Sequence, residues 1–502
     1  ENLALRGFHL QFPPSAEGQS GSAMASAKAG SRPPARSRTT AKKDSQMKQV
    51  DAGRVLDEGR WTGYQKLLIF GTALTIILDG VDNQLLPNAV PTLIDEWDRP
   101  RGDFIGALSY GPFGMMIGGL VGGIIGDRYG RRTALLGSVI TFAVLTFAIA
   151  FANTIEMLSL LRFLAGVGLG GAMPNAATLA SEYVPRKQRP FAVTLTIVCI
   201  PLGGVLAGYL AAGIIPTYGW RALFIAGGII PLVLAVVLWR VLPESPRYLA
   251  KQRERWPELT RMMRKIGHDL PDDVQYVETA TAGMPAGKAS IGTLFSPQYL
   301  RDTVALSASF FFCLLVNYLV ILLLPAVLTA AGNDFSQPQA SRALAMSNIG
   351  GVAGAIFGAM LIQQFGSRVT MLGMSALAIA SSFVLAGANI DPSNTLFLMG
   401  MLLLTGGLLN GVQTTMYALA AHVFPTEVRS TGVGFAVAVG RVGNVLAALV
   451  ANEAFNRGGN AGYFGSWGVL MAIVLIALAL VSRHVPRSSA VAAAHAGPAA
   501  QR

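Results

Sequence analysis

The sequence predicts an all-α integral membrane protein whose twelve transmembrane helices form two pseudo-symmetric six-helix bundles. Of its 502 residues, 52% are apolar and 13% are charged, about half the charged share of a soluble domain. The mean hydropathy is +0.48. Twelve apolar stretches are long enough to span a bilayer, and their glycine spacing repeats between the two halves. These features exclude a disordered protein, a coiled coil and a disulfide scaffold, and they disfavour a soluble enzyme.

Each predicted span follows from length and hydropathy. A bilayer core of about 30 Å requires about 20 mostly apolar residues per helix. The predicted spans are 64–87, 103–126, 133–152, 155–183, 191–214, 221–241, 302–330, 340–362, 369–388, 395–422, 431–453 and 463–483.

A polar, charged stretch divides the spans six and six, which gives a five-part organisation. Residues 1–60 are rich in Ser, Ala, Pro, Lys and Arg, so we expect a disordered basic cytoplasmic tail. The first bundle occupies 61–242 and the second 302–484. A cytoplasmic central loop, 243–301, lies between them, and a C-terminal tail covers 485–502.

Basic residues set the predicted orientation. They concentrate on one side of the predicted spans, together with the N-terminal tail and the central loop, whereas the loop after the first span carries several acids. By the positive-inside rule, both termini and the central loop are cytoplasmic, in the inner (plasma) membrane. The net charge of +12 therefore reflects membrane topology. We expect the lipid bilayer as a partner of the protein and no binding of nucleic acid. The basic loop residues are Arg128, Arg131, Arg132, Arg186, Lys187, Arg189, Arg368, Arg429 and Arg483.

Two matches indicate an internal duplication. Glycines recur every fourth residue in the second and eighth spans, with a shift of 236 between Gly114 and Gly350. Such glycines let helices approach closely. Pro185-x-x-x-Arg189 matches Pro425-x-x-x-Arg429 with a shift of 240, which sets Glu182 opposite His422. Two similar halves predict a binding site between them, near the bilayer midplane, that opens alternately to each side.

The loop after the second span resembles the signature of the major facilitator superfamily. It reads Gly123-x-x-x-Asp127-Arg128-x-Gly130-Arg131-Arg132. The resemblance implies that Asp127, Arg128, Arg131 and Arg132 latch the inner gate. In the second copy, Gln363 and Gln364 replace the charged pair, so we expect an asymmetric latch.

Further runs resemble the aromatic acid:proton symporter family. They are Asp79-Gly80-Val81-Asp82, Arg162-Phe163-Leu164-Ala165-Gly166, Pro425-Thr426-Glu427-Val428-Arg429 and Gly440-Arg441-Val442-Gly443. The resemblance implies proton-coupled uptake of aromatic monocarboxylates such as hydroxybenzoate-like acids.

Charges inside the predicted spans point to a proton site. Asp79 and Asp82 are three residues apart and share a helix face. If the first span ends near Asn88, they lie roughly 9–13 Å below the outer boundary, level with Arg162. Two close carboxylates cannot both ionise cheaply, and an arginine favours ionising one of them. We expect this trio to bind and release one proton, although a structural ion pair is the alternative.

Arg441 is the predicted substrate anchor. It falls near the midplane without an obvious acid in its half, and a guanidinium fits a carboxylate with two hydrogen bonds. Pairing with backbone carbonyls is the alternative. Asn317 and Tyr318 are further substrate-binding candidates, with helix bonding and simple packing as their alternatives. Glu182, His422 and Arg429 lie at inner helix ends, where we expect gating contacts.

The predicted function is secondary active transport of a small organic anion with protons, by a monomer without cofactor or metal. No nucleophile elbow, phosphate-binding loop or metal motif indicates an enzyme. Two alternatives remain: a transporter of another metabolite, sugar-like or an aliphatic carboxylate, and a non-transporting sensor with this fold.

Overall fold

Long apolar helices dominate the protein. The computed structural model describes residues 49–59, 61–268, 270–271, 274–277, 291–424 and 428–487. In chain order the elements are β1 (Gln49–Asp51), α1 (Ala52–Glu58), α2 (Gly63–Trp97), α3 (Ile105–Tyr129), α4 (Arg131–Ile149), α5 (Ile155–Tyr183), α6 (Arg189–Val241), α7 (Pro246–Ala250), α8 (Trp256–Lys265), β2 (Gln275–Val277), α9 (Ile291–Leu294), α10 (Leu300–Leu328), α11 (Gln337–Phe365), α12 (Ser367–Gly387), α13 (Thr395–Val423) and α14 (Arg429–Leu480).

Ten helices of the described chain are long and apolar enough to cross a membrane. Two of these, α6 and α14, are each interrupted by a glycine with non-helical dihedral angles. Gly219 divides α6 and has a φ of 76°, and Gly459, 240 residues later, divides α14 with a φ of 54°. Glycine adopts these angles without steric cost. Twelve membrane-crossing segments result, as predicted.

The two bundles repeat one packing scheme. In the first, α2 packs on α6 and α3 on α5; in the second, α10 packs on α14 and α11 on α13. The predicted glycine ridges form the closest of these contacts. A methyl group at Gly118 would collide with the Val167 carbonyl, and one at Gly354 with the Gly407 carbonyl. Each half therefore holds its central helix pair at backbone contact distance.

The first span is longer than predicted. We expected it to end near Asn88, but α2 continues to Trp97, with Pro87 and Pro91 inside it. A proline removes one helical hydrogen bond, whereas the residues around these prolines, including Leu86, Val90 and Leu93, are fully buried. Apolar burial outweighs the local loss, and membrane helices tolerate proline where neighbours pack against them. Asp79 and Asp82 therefore lie about 22–27 Å before the end of the helix.

The predicted disordered tail ends earlier than residue 60. Gln49–Asp51 pair in parallel with Gln275–Val277, and Asp51 caps α1 through the backbone N–H groups of residues 53 and 54. Leu56 is buried in a cluster with Leu259 and Met263 of the central loop. Asp57 forms an ion pair with Arg189. These contacts order residues 49–58, while most of the predicted tails, and part of the loop 243–301, lie outside the described residues.

Candidate functional site

A buried ion pair joins α2 to α5. Arg162 Nη1 lies 3.1 Å from Asp82 Oδ2 and also donates to the Asp82 carbonyl at 3.3 Å. Thr146 Oγ1 of α4 donates to Asp82 Oδ1. Both charged side chains are at most 5% exposed. The carboxylate thus has a guanidinium and a hydroxyl donor, which is what burial of a charge requires.

Asp79 belongs to a different environment from its predicted partners. It is 4% exposed, and its Oδ1 has no hydrogen-bond partner among the described residues. Its side chain lines a cavity between the two bundles. The structure therefore joins two members of the predicted trio, Asp82 and Arg162, and separates the third.

The central cavity draws on both bundles. Its lining mixes apolar side chains with amides, two tyrosines, one carboxylate and one guanidinium. The lining residues are Asp79, Gly80, Asn83, Gln84, Pro112, Met115, Leu169, Gly170, Met173, Ile200, Pro201, Leu314, Tyr318, Ile321, Asn348, Asn410, Gln413, Tyr417, Val437, Arg441 and Asn444. A mostly apolar cavity with a few convergent polar groups is the usual form of a small-molecule site.

Arg441 reaches across the cavity from α14. Its Nη1 donates to the Met115 carbonyl of α3 at 2.8 Å, and within the described chain it forms no ion pair. A Cβ at Gly119 would lie 2.6 Å from Arg441 Nη1, so a side chain at this position would displace the guanidinium. Asp79 and Arg441 line the same cavity. The backbone contact that was one predicted alternative is thus present, inside the predicted cavity.

Of the two other predicted substrate-binding residues, Tyr318 lines the cavity and Asn317 does not. Tyr318 lines the cavity, and its hydroxyl accepts a hydrogen bond from Asn83 Nδ2 at 3.3 Å. Asn317 lies outside the described lining and donates to the Cys313 carbonyl of its own helix at 2.9 Å. Neighbouring residues on a helix point about 100° apart, so only one of the two faces the cavity.

Several cavity amides were missed by the sequence reasoning. Gln84 of α2 and Asn348 of α11 form a reciprocal pair, with hydrogen bonds of 3.1 and 2.9 Å. Both are buried. In sequence each is one amide in an apolar helix, and an amide often serves helix packing. Their pairing across the bundles depends on three-dimensional structure.

Further hydrogen bonds between the bundles lie at the end opposite the 127–132 loop. Gln337 Nε2 donates to the Asn88 carbonyl at 3.2 Å. Arg101 donates to Asn452 at 3.0 Å and to Asn456 at 2.8 Å, and its guanidinium lies 4.1 Å from the centre of the Phe455 ring. We call these contacts, together with the Gln84–Asn348 pair, the amide seam.

The predicted latch residues lie at the opposite end of the first bundle. Asp127 forms an ion pair with Arg131, which also donates to Asn175 at 3.3 Å. The backbone N–H of Arg132 donates to Glu244 Oε1 at 2.9 Å. Arg128 lies over the Tyr129 ring. Glu244 is buried at the N-terminus of α4, where a carboxylate is favoured; its run after the sixth span was noted in sequence but not assigned a role.

The corresponding loop of the second bundle is neutral. Gln363 and Gln364 are exposed. At the start of α12, the backbone N–H of Ser367 donates to the Val485 carbonyl at 3.0 Å, and Ser367 Oγ lies 3.2 Å from His484 Nδ1. Burial, with nearby Arg368, lowers the pKa of His484, which favours the uncharged ring. At the start of α12, the Val485 carbonyl and the uncharged His484 ring thus take the place that the Glu244 carboxylate has at the start of α4.

The other predicted gating residues lie at helix ends. Glu182 accepts a hydrogen bond from Ser245. Arg429 donates to the Phe424 carbonyl at 3.3 Å, and His422 is exposed. Pro425, half of the repeated motif, lies outside the described residues. Glu182 and His422 occupy equivalent positions of the two repeats, one in each bundle. Within the described ranges, no group of three or more His, Cys, Asp or Glu side chains is arranged to hold a metal ion.

Known proteins similar to this chain are membrane transporters. A family model described as sugar (and other) transporter matches residues 103–484. The gallate transporter of Pseudomonas putida is 33% identical over 82% of this chain and 90% of its own length. The 4-hydroxybenzoate transporter of Acinetobacter baylyi is 31% identical, covering 81% and 88% of the two chains. The benzoate transport protein of the same organism is 30% identical, covering 80% and 86%.

Solved structures support the fold. The xylose transporter XylE from E. coli, in an inward open conformation, aligns with a TM-score of 0.68 at 18% identity, covering 85% of this chain and 99% of its own. An inward-facing bacterial homologue of the lysosomal transporter Spinster aligns with a TM-score of 0.61 at 17% identity, covering 84% and 97%.

Proposed function

Because the chain belongs to the sugar (and other) transporter family of the major facilitator superfamily and is related to its aromatic acid transporters, we propose that it imports an aromatic monocarboxylate together with a proton. Transport takes place by alternating access in the bacterial inner membrane. Both termini face the cytoplasm, and one chain contains the complete cavity, so the monomer is the working unit.

The position of Arg441 carries this proposal. Its guanidinium lies in the cavity between the bundles with one backbone hydrogen bond and no ion-pair partner in the described chain. An arginine within a membrane helix bundle is costly and calls for an anionic partner, and a substrate carboxylate supplies it with two parallel hydrogen bonds. The apolar lining contributed by Met173, Ile200 and Leu314 accommodates the aromatic ring.

Asp79 is the proposed proton carrier. It shares the cavity with Arg441, and its Oδ1 accepts no hydrogen bond from the described residues. Asp82 is already compensated by Arg162 and Thr146, so it has a structural role in holding α2 against α4 and α5. This division favours one exchangeable proton at the site.

The ends of the bundles supply the proposed gates. The amide seam closes the external end, and the charged cluster around Asp127 and Glu244 acts at the cytoplasmic end. During the cycle the two bundles separate at the seam, which breaks its hydrogen bonds, and approach each other at the other end. Tight glycine packing inside each bundle supports movement of the halves as bodies.

Uptake by purified protein in proteoliposomes tests the function. We expect accumulation of at least one aromatic acid from a radiolabelled set of 4-hydroxybenzoate, gallate and benzoate under an imposed inward proton gradient, and none of xylose or acetate. Collapse of the gradient with an ionophore is the control. Accumulation of the sugar or the aliphatic acid instead would contradict the proposed substrate, and binding without any transport would indicate a sensor.

Charge movement tests the proton number. Moving one elementary charge through about 100 mV is worth about 2.3 kcal/mol, so one proton per monoanion makes uptake electroneutral and insensitive to the potential. We therefore expect no substrate-induced current in voltage-clamped proteoliposomes. A clear inward positive current would show that at least two protons accompany each anion.

A further inference from the structure

Asn444 lies one helical turn after Arg441 on α14 and faces the same cavity. The side chain is 8% exposed. Its Oδ1 is buried and has no hydrogen-bond partner among the described residues. A buried acceptor without a donor costs free energy, so this oxygen calls for a donor that the described protein does not supply.

The other cavity amides differ in this respect, because none of their side-chain oxygens is both buried and without a partner among the described residues. Gln84 and Asn348, for example, satisfy each other. Among the described lining residues, only Asp79 and Asn444 have a buried side-chain oxygen without a partner.

The missing donor identifies a chemical feature of the ligand. A carboxylate bound to Arg441 only accepts hydrogen bonds, so it cannot donate one to Asn444 Oδ1. A hydroxyl on the aromatic ring donates one hydrogen bond and also accepts. Asp79 alternates between acceptor and donor as it gains and loses a proton, whereas the Asn444 amide keeps its acceptor throughout the cycle.

We propose that Asn444 recognises a ring hydroxyl and that the substrates are hydroxylated aromatic acids rather than unsubstituted benzoate. This inference rests on the proposed function of aromatic acid transport. An unsubstituted ring would cover the Asn444 oxygen and leave it unpaired. Sites built to bond a substrate hydroxyl reject the analogue that lacks it, and one unpaired buried acceptor corresponds to a discrimination of roughly 10- to 100-fold.

Competition for binding and uptake tests this specificity. Unlabelled benzoate and 2-, 3- and 4-hydroxybenzoate compete against labelled substrate in proteoliposomes containing the wild type, Asn444→Leu or Asn444→Ala. We expect the wild type to prefer at least one hydroxylated acid by about 10-fold or more. In both variants the preference disappears, mainly because the hydroxylated acid binds more weakly.

Asn333→Leu is the matched control. It removes a buried amide of the same bundle that pairs with Asn460, outside the cavity lining, and we expect it to keep the wild-type preference. Should Asn444→Leu fail to fold, Asn444→Ala and the wild-type ratio still decide. Equal wild-type affinity for benzoate and all three hydroxybenzoates, or full preference in a folded Asn444 variant, would overturn the inference. Absence of transport of every aromatic acid would instead overturn the proposed function.

Discussion

Two arginines face two carboxylates of the same helix, α2, in contrasting ways. Arg162 and Asp82 belong to one bundle, form a direct ion pair and are almost fully buried. Arg441 and Asp79 come from opposite bundles and line the cavity, and Arg441 donates to a backbone carbonyl. The pair inside one bundle stays together when the bundles move. The two charges that line the cavity from opposite bundles form no ion pair with each other among the described contacts, so we expect them to be available to a proton and a substrate.

Replacing Asp79 should give the largest effect on transport. An amide at this position cannot carry the proton, so we expect Asp79→Asn to abolish accumulation of substrate under a proton gradient. Exchange of labelled for unlabelled substrate at equilibrium should continue, because it needs no net proton movement. Proteoliposome uptake and counterflow measure the two activities. Unchanged accumulation in this variant would remove Asp79 from coupling.

Replacing Asp82 should act mainly on stability. Asp82→Ala leaves Arg162 buried without its carboxylate, and breaking a buried pair in this way costs about 3–5 kcal/mol. We expect a clearly lower thermal unfolding temperature in detergent and little folded protein. The double variant Asp82→Asn/Arg162→Gln removes both charges and should recover part of the loss. A single variant as stable as the wild type would contradict the structural role.

Replacing Arg441 should weaken substrate binding without unfolding the protein. Lysine keeps the charge but cannot form the two parallel hydrogen bonds, so we expect Arg441→Lys to raise the Kd for the acid about tenfold or more. Binding is measured by isothermal titration calorimetry in detergent. Arg457→Lys is the control, since Arg457 is exposed at the end of a helix segment. Equal affinity in Arg441→Lys and the wild type would exclude Arg441 from the site.

The latch should show the smallest effect. Asp127 is exposed and paired with Arg131, and exposed ion pairs contribute little. We expect Asp127→Asn to lower the initial uptake rate roughly two- to fivefold. Gln363→Asn, at the neutral equivalent position, should leave the rate unchanged. Equal effects of the two substitutions would contradict the predicted asymmetry between the bundles.

Sequence patterns located the membrane-spanning helices correctly, but they did not locate all of the residues at which these helices end. Hydropathy located all twelve segments because burial and lipid exposure both require apolar side chains. It ended the first span ten residues early because Pro87 and Asn88 resemble a helix stop, and only tertiary packing of residues such as Leu86 and Val90 overrides them. Ordering of residues 49–58 likewise depends on contacts with distant residues of the central loop.

The site was predictable where charge was involved. An ionised side chain in an apolar helix is conspicuous, and Asp79, Asp82, Arg162 and Arg441 all proved to be buried or to line the cavity. Helical depth alone could not separate Asp79 from the other two members of the trio. Neutral amides give no such signal, so Asn444 was not identified from sequence even though it lies one turn from Arg441.

The amide seam also determines how the proposed outer gate responds to ionic strength. Among the described residues, its hydrogen bonds join amides to each other, to a carbonyl and to Arg101, without a carboxylate. Dissolved ions screen pairs of opposite charges over about 8 Å at physiological salt, but they have less effect on hydrogen bonds that pair no opposite charges, including those that Asn452 and Asn456 accept from Arg101. In the proposed orientation, closure towards the exterior should therefore persist when the surroundings of the cell change from dilute to saline. The charged cluster would then face the far steadier salt concentration of the cell interior.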